Sequence, residues 1–156
     1  MGIAFLRTLF SPAMNKKRNE ELLKLADVKL KASNLLLEDK ESIDKSYDGD
    51  TAALSVSVAM SGLLPTVVIY YQDFDNRNPD APCRRNVLNV VATMITVPNT
   101  DECFADAKAL LSFILNGRTG LEEEVYLKAL KQLEGEVIDC AIALKQVVRT
   151  YNLVEK

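Results

Sequence analysis

From Thr51 to Gln72 the chain reads TAALSVSVAMSGLLPTVVIYYQ, without one charged side chain. A run of this length either crosses a membrane or is enclosed by protein, since about 20 apolar residues span a bilayer. The details argue against a span. Ser55, Ser57, Ser61 and Thr66 dilute the hydrophobicity, and Pro65 removes a backbone donor that lipid cannot replace. Asp48 and Asp50 precede the run and Asp73 and Asp75 follow it, so no Lys/Arg cluster marks a cytoplasmic side. The run therefore reads as a helix buried on nearly all sides of a soluble domain, with no membrane partner.

At 156 residues the chain is long enough for one domain around a single core. A formal net charge of -3 creates no global field that calls for nucleic acid, so any such binding must come from a local patch. The three cysteines, Cys83, Cys103 and Cys140, are odd in number and far apart. That suits free thiols in a reducing, cytoplasmic setting rather than a disulfide framework. The opening MGIAFLRTLFSPA is too short and too weakly flanked for a signal peptide. Met14 stands directly before Asn-Lys-Lys-Arg, so residues 1–13 read as a tail and 14–156 as the folded domain.

Helical spacing dominates that domain. Leu23, Ala26, Leu30 and Leu37 form one stripe, which predicts a helix from Asn15 to about Leu37. The uncharged run supplies a second helix, kinked near Gly62 and Pro65. Pro82 opens a third through Val87, Val91 and Met94. Asn99 or Thr100 caps a helix from Glu102 to about Leu115, closed by Asn116-Gly117. Thr119 and Glu122 fit a capping box before the longest helix. In that helix Leu130, Leu133, Val137, Ala141, Leu144, Val148 and Tyr151 make one seam, which Gly135 could bend or divide. Short strands are conceivable at Thr66–Tyr71 and Ile95–Val97, but no alternation supports a sheet. The expectation is an all-α, compact single-domain bundle of about five to seven helices with a long C-terminal helix.

The catalytic inventory is thin. The chain has no histidine, which removes histidine relays, histidine-ligated zinc and imidazole general bases. It has no glycine-rich phosphate loop and no CxxC pair. Asp73-x-Asp75 begins like a calcium loop, but Asn78 stands where glycine belongs and Arg84 where the bidentate glutamate belongs. No cofactor and no metal are expected. Glu122-Glu123-Glu124 favours the positive end of a helix dipole and is not an acidic site.

The cations are the better candidates for a site. Lys17 and Arg18, with Lys16, crowd the start of the first helix, where positive charge opposes the macrodipole. Arg84 and Arg85 sit at another helix start. Lys145 and Arg149 are four apart and project from one face, off the Leu144/Val148 seam. They read either as a solvated face with last-turn dipole compensation or as sequence-independent contacts to a phosphate backbone.

Three segments carry a family resemblance. Tyr47-x-Gly49 followed by Ser57-Val58-Ala59-Met60-Ser61-Gly62-Leu63-Leu64-Pro65-Thr66 resembles the Cmr small subunit of type III-B CRISPR effector complexes. Asp139 to Tyr151, DCAIALKQVVRTY, is similar to the same family, as is the start Met14-Asn15-Lys16-Lys17-Arg18. Asn86 to Gly120 is only loosely alike, and Ala52-Ala53-Leu54-Ser55-Val56 replaces a more aromatic, glycine-containing approach. The resemblance implies a helical bundle without catalytic activity, stacked with copies of itself and other Cmr subunits beside crRNA and target RNA in antiviral defence. Lys17, Arg18, Lys145 and Arg149 are then the expected RNA-backbone contacts, with Arg84 and Arg85 next. Gly62 is expected to permit close helix packing and Pro65 to set the kink. Two alternatives stay open: a helical adaptor that binds only protein, and an enzyme using Asp73, Asp75 and Asp80 with a divalent ion.

Overall fold

The computed structural model describes residues 12–117 and 120–155. Among these, six helices carry the fold: α1 (Pro12–Lys31), α2 (Ser46–Ser61), α3 (Leu63–Gln72), α4 (Arg84–Thr93), α5 (Ala107–Asn116) and α6 (Glu123–Val148). Two three-residue strands, β1 (Ser42–Asp44) and β2 (Asn152–Val154), complete it. The chain is thus a mostly all-α bundle with a long C-terminal helix.

α6 is the spine. Its 26 residues run uninterrupted through Gly135, and Leu133, Val137, Ala141, Leu144 and Val148 face the core. α1 runs beside it in the same direction: Arg18 meets Asp139 at 2.9 Å, and further on the Tyr151 hydroxyl donates to Asp27 at 2.7 Å. α2 starts at the far end of α6, where Arg149 meets Asp48 at 2.8 Å, and packs back along it. α4 is the central element, touching each of the other five helices. Its buried Asn86 donates to the Tyr47 hydroxyl at 2.9 Å, and its Asn89 accepts from the Ala107 N–H at 2.8 Å. Polar side chains survive there because each has a partner.

The uncharged run corrects its own reading. It is not enclosed on nearly all sides: Leu54, Val58 and Val67 are fully buried, but Val56 is 55%, Met60 82% and Ile69 52% exposed. Nor is it one kinked helix. It breaks completely at Gly62, whose φ of 96° and ψ of 164° suit glycine and almost nothing else. A Cβ on Gly62 would meet only Pro65 Cδ, at 3.7 Å, so the residue serves backbone conformation rather than close helix packing. Pro65 is the third residue of α3, in the first turn, where a backbone N–H has no intrahelical acceptor. It tolerates the break and does not make a kink.

Other boundaries move for local reasons. α1 ends at Lys31 rather than near Leu37, because the Ser33 hydroxyl donates to the Leu30 carbonyl (2.6 Å) and accepts from the Leu35 N–H (3.2 Å). Leu35 and Leu36 then enter the core as extended chain, with Leu36 bridged to Ile43. α1 also takes in Pro12 and Ala13, ahead of Met14, while residues 1–11 lie outside the described residues. α5 begins at Ala107 because the Asp106 carboxylate accepts from the Ala109 N–H at 2.8 Å. Asn99 and Thr100 instead form a turn in which the Thr100 hydroxyl donates to the Val97 carbonyl at 2.9 Å. The cap of α6 is Glu122; Thr119 of the expected capping box lies outside the described residues.

The segment Thr66–Tyr71 is helical, and of Ile95–Val97 only Thr96 bridges, to Cys103. The actual sheet was unforeseen. β1 and β2 pair in parallel, with Ser42 opposite Asn152, Ile43 opposite Leu153 and Asp44 opposite Val154.

Candidate nucleic-acid interface

Helix geometry distributes the six expected cations into three places and engages four of them internally. Arg18 projects from the start of α1 to the Asp139 carboxylate of α6. Arg149, just past the end of α6, reaches Asp48 in the first turn of α2. That ion pair joins two of the segments carrying the family resemblance, Tyr47-x-Gly49 and Asp139 to Tyr151. Both pairs are partly exposed, so each contributes little net stability and leaves several guanidinium N–H groups facing solvent.

Arg84 and Arg85 form a separate cluster at the junction of α3 and α4. The Arg85 guanidinium carbon lies 4.0 Å from the Tyr71 ring centroid and 4.4 Å from that of Phe74. Its Nε donates to the Tyr71 carbonyl at 2.6 Å. Arg84 stands 5.7 Å from the Tyr70 ring centroid and 3.7 Å from the Asp50 carboxylate. Asp73 accepts from the Arg84 backbone N–H at 2.8 Å, capping α4. Burial pushes the Asp50 carboxyl up, with Arg84 acting against that shift. With Asp73, Asp75 and Asp80 close to Arg77, Arg84 and Arg85 in the chain and Asp50 beside Arg84 in space, this corner has no cationic excess. Its arginines tie the loop between α3 and α4 to the aromatic rings, a structural duty that competes with phosphate binding.

Lys17 and Lys145 remain. Lys17 is exposed, Lys145 half-buried, and neither is held in an ion pair among the described residues.

Two lysines that the sequence reading passed over complete the picture. Lys128 and Lys131 stand on the exposed side of α6, across a cleft of about 490 Å³ from Arg18. A neighbouring hollow of about 530 Å³, between α6 and the Thr96–Thr100 turn, shares Lys128, Gln132 and Glu136 with it. Burial pushes the Glu136 carboxyl up, opposed by a hydrogen bond from Gln132 and by the Arg18 charge. Their spacing gave no signal: Glu124 stands four residues before Lys128 and Glu134 three after Lys131, the pattern of an ordinary solvated helix face.

Among the described residues no group of three or more His, Cys, Asp and Glu side chains is placed to hold a metal ion. Asp73 is instead occupied as a cap. No described helix is long and apolar enough to cross a membrane. In comparisons with known proteins, no family model, curated protein or solved structure matches the chain.

Proposed function

We propose that the chain is a non-catalytic small subunit of a type III-B CRISPR (Cmr) ribonucleoprotein, working in the cytoplasm. In this reading it packs against other Cmr subunits and copies of itself and helps hold crRNA and target RNA through backbone contacts. The observation that carries the subunit role is the set of exposed apolar side chains on α2 and α3. Val56, Met60, Leu64 and Ile69 are exposed on a segment without any charge, which a protein working alone has reason to avoid. Lys17, Lys145, Lys128 and Lys131 supply positive charge that no ion pair among the described residues consumes. Each such contact is weak, and alignment of many subunits would raise the effective concentration of sites.

The engagement of Arg18, Arg84, Arg85 and Arg149 by internal partners favours a second reading, a helical adaptor that binds protein and never RNA. An affinity-tagged copy recovered from its native host separates the two. Co-purification of Cmr subunits with repeat-tagged guide RNA is the expected result. Recovery of unrelated partners without RNA would replace the CRISPR reading by the adaptor.

A further inference from the structure

We propose that the cleft between the start of α1 and the middle of α6 binds a phosphodiester group of a nucleic-acid strand, held by Arg18, Lys128 and Lys131 above Gly135. This rests on the RNA reading above and assigns that reading a place.

Three cations and two carboxylates line the cleft. The carboxylates are already answered within the fold. Asp139 holds Arg18 at 2.9 Å, and Glu136 accepts a hydrogen bond from Gln132. Arg18 is thereby aimed across the cleft with other N–H donors to spare, and the lysines bring charge that no ion pair among the described residues meets. Lys128 and Lys131 are three apart on one helix face, an arrangement of like charges that weakens an isolated helix. A phosphate between them would relieve the repulsion.

Gly135 is the independent observation. It lies in the interior of α6, where glycine weakens a helix relative to alanine. Nothing lies within 4 Å of the Cβ that alanine would add. Packing within this chain therefore does not require glycine there, and the missing side chain keeps the cleft open over the helix backbone. A ligand that approaches closely between the cations accounts for it.

The test titrates the whole chain into a fluorescently labelled single-stranded RNA and follows anisotropy between about 50 and 200 mM salt. Wild type is compared with K128Q/K131Q and with Gly135→Ala. The double variant is expected to bind more weakly, with a log–log salt slope flatter by up to about 0.7, the contribution of one phosphate on a single strand. Gly135→Ala is expected to melt at a higher temperature and yet bind RNA more weakly, a combination that damage to the fold cannot produce. If wild type binds RNA and both variants bind it unchanged, while Lys17→Gln or Lys145→Gln weakens it, the cleft assignment is wrong and the RNA reading survives. If wild type binds no RNA at low salt, both fall. Displacement by inorganic phosphate as effective as that by unlabelled RNA at equal phosphate concentration would make this a free-phosphate site and overturn the strand assignment.

Discussion

Replacing Gly62 by alanine tests whether one backbone conformation divides the uncharged run. At φ 96° and ψ 164° an L side chain is strained by about 1–3 kcal/mol. Alanine also stiffens the unfolded chain, which returns about 0.4–1 kcal/mol. Contact energy adds almost nothing, because the new Cβ would meet only Pro65 Cδ at an ordinary 3.7 Å. The net expectation is a loss of about 1–2 kcal/mol, or roughly 3–8 °C in Tm for a domain of this size. Urea unfolding followed by far-ultraviolet circular dichroism reads it directly. Gly49→Ala is the control: it lies inside α2 with nothing within 4 Å of its Cβ, so the same chemical change there should be neutral or stabilising. A Gly62→Ala variant as stable as wild type would refute the reasoning. It would mean that α2 and α3 can join as one continuous helix.

Thr66 is buried and its hydroxyl has no hydrogen-bond partner among the described residues, so Thr66→Val should be neutral or stabilising by about 1 kcal/mol. A loss larger than that in the same urea assay would reveal a bonded hydroxyl. Of the three free thiols Cys103 is exposed, Cys83 and Cys140 are buried, and burial pushes the Cys140 thiol up to about 12. One thiol per chain should therefore react quickly with Ellman's reagent in the native protein, and all three after denaturation; two fast native thiols would contradict the burial of Cys83 before α4 or of Cys140 on α6. Burial first, then neighbouring acidic groups, push the Tyr70 and Tyr151 hydroxyls up to about 12 from an unfolded value near 10. With folded pKa values raised, their contribution to stability is complete below about pH 10 and is lost as pH rises toward 12. An alkaline absorbance titration should show these tyrosines ionising late, and Tyr151→Phe should remove one late step; titration of all five tyrosines near 10 would refute it.

What could be read from residues alone follows the range of the forces involved. The helical seam of α6, a helix opening just past Pro82 and a disturbance at Gly62 depend on neighbours within a turn or two and were legible. The disturbance was read as a kink, however, where the chain divides into two helices, and Pro82 as a first-turn residue, where α4 starts at Arg84. α1 was read too long because Leu37 continues a stripe that the Ser33 hydroxyl interrupts. β1 and β2 were invisible, since three residues carry no alternation and Ser42–Asp44 pairs with Asn152–Val154, far along the chain. Burial was misjudged for a related reason. Hydrophobicity ranked Thr51–Gln72 as the innermost segment, yet tertiary packing gave the centre to α4 and left Met60 outside. Arg84, Arg85 and Arg149 were sound as helix-start and helix-end cations, whereas Arg18 is the seventh residue of α1. Their acidic partners, Asp139, Asp50 and Asp48, could not be assigned without the fold. Lys128 and Lys131 were passed over because a lysine on an outer helix face is ordinary until Arg18 is seen across the cleft.

The parallel pairing of β1 with β2 also fixes an order of events during synthesis. β1 precedes α2, and the Lys45 N–H that leads into α2 donates to the Val154 carbonyl at 2.7 Å. That bond cannot form until α6 and the residues after it have left the ribosome. Helices α1 to α5 therefore emerge with an incomplete core and without the strand that pins the entry to α2. The native arrangement closes only once Asn152–Val154 have emerged, as expected when the decisive contacts join distant parts of a sequence. A nascent chain whose α6 is still inside the ribosome would display the apolar surface that this helix covers on α1 and α2.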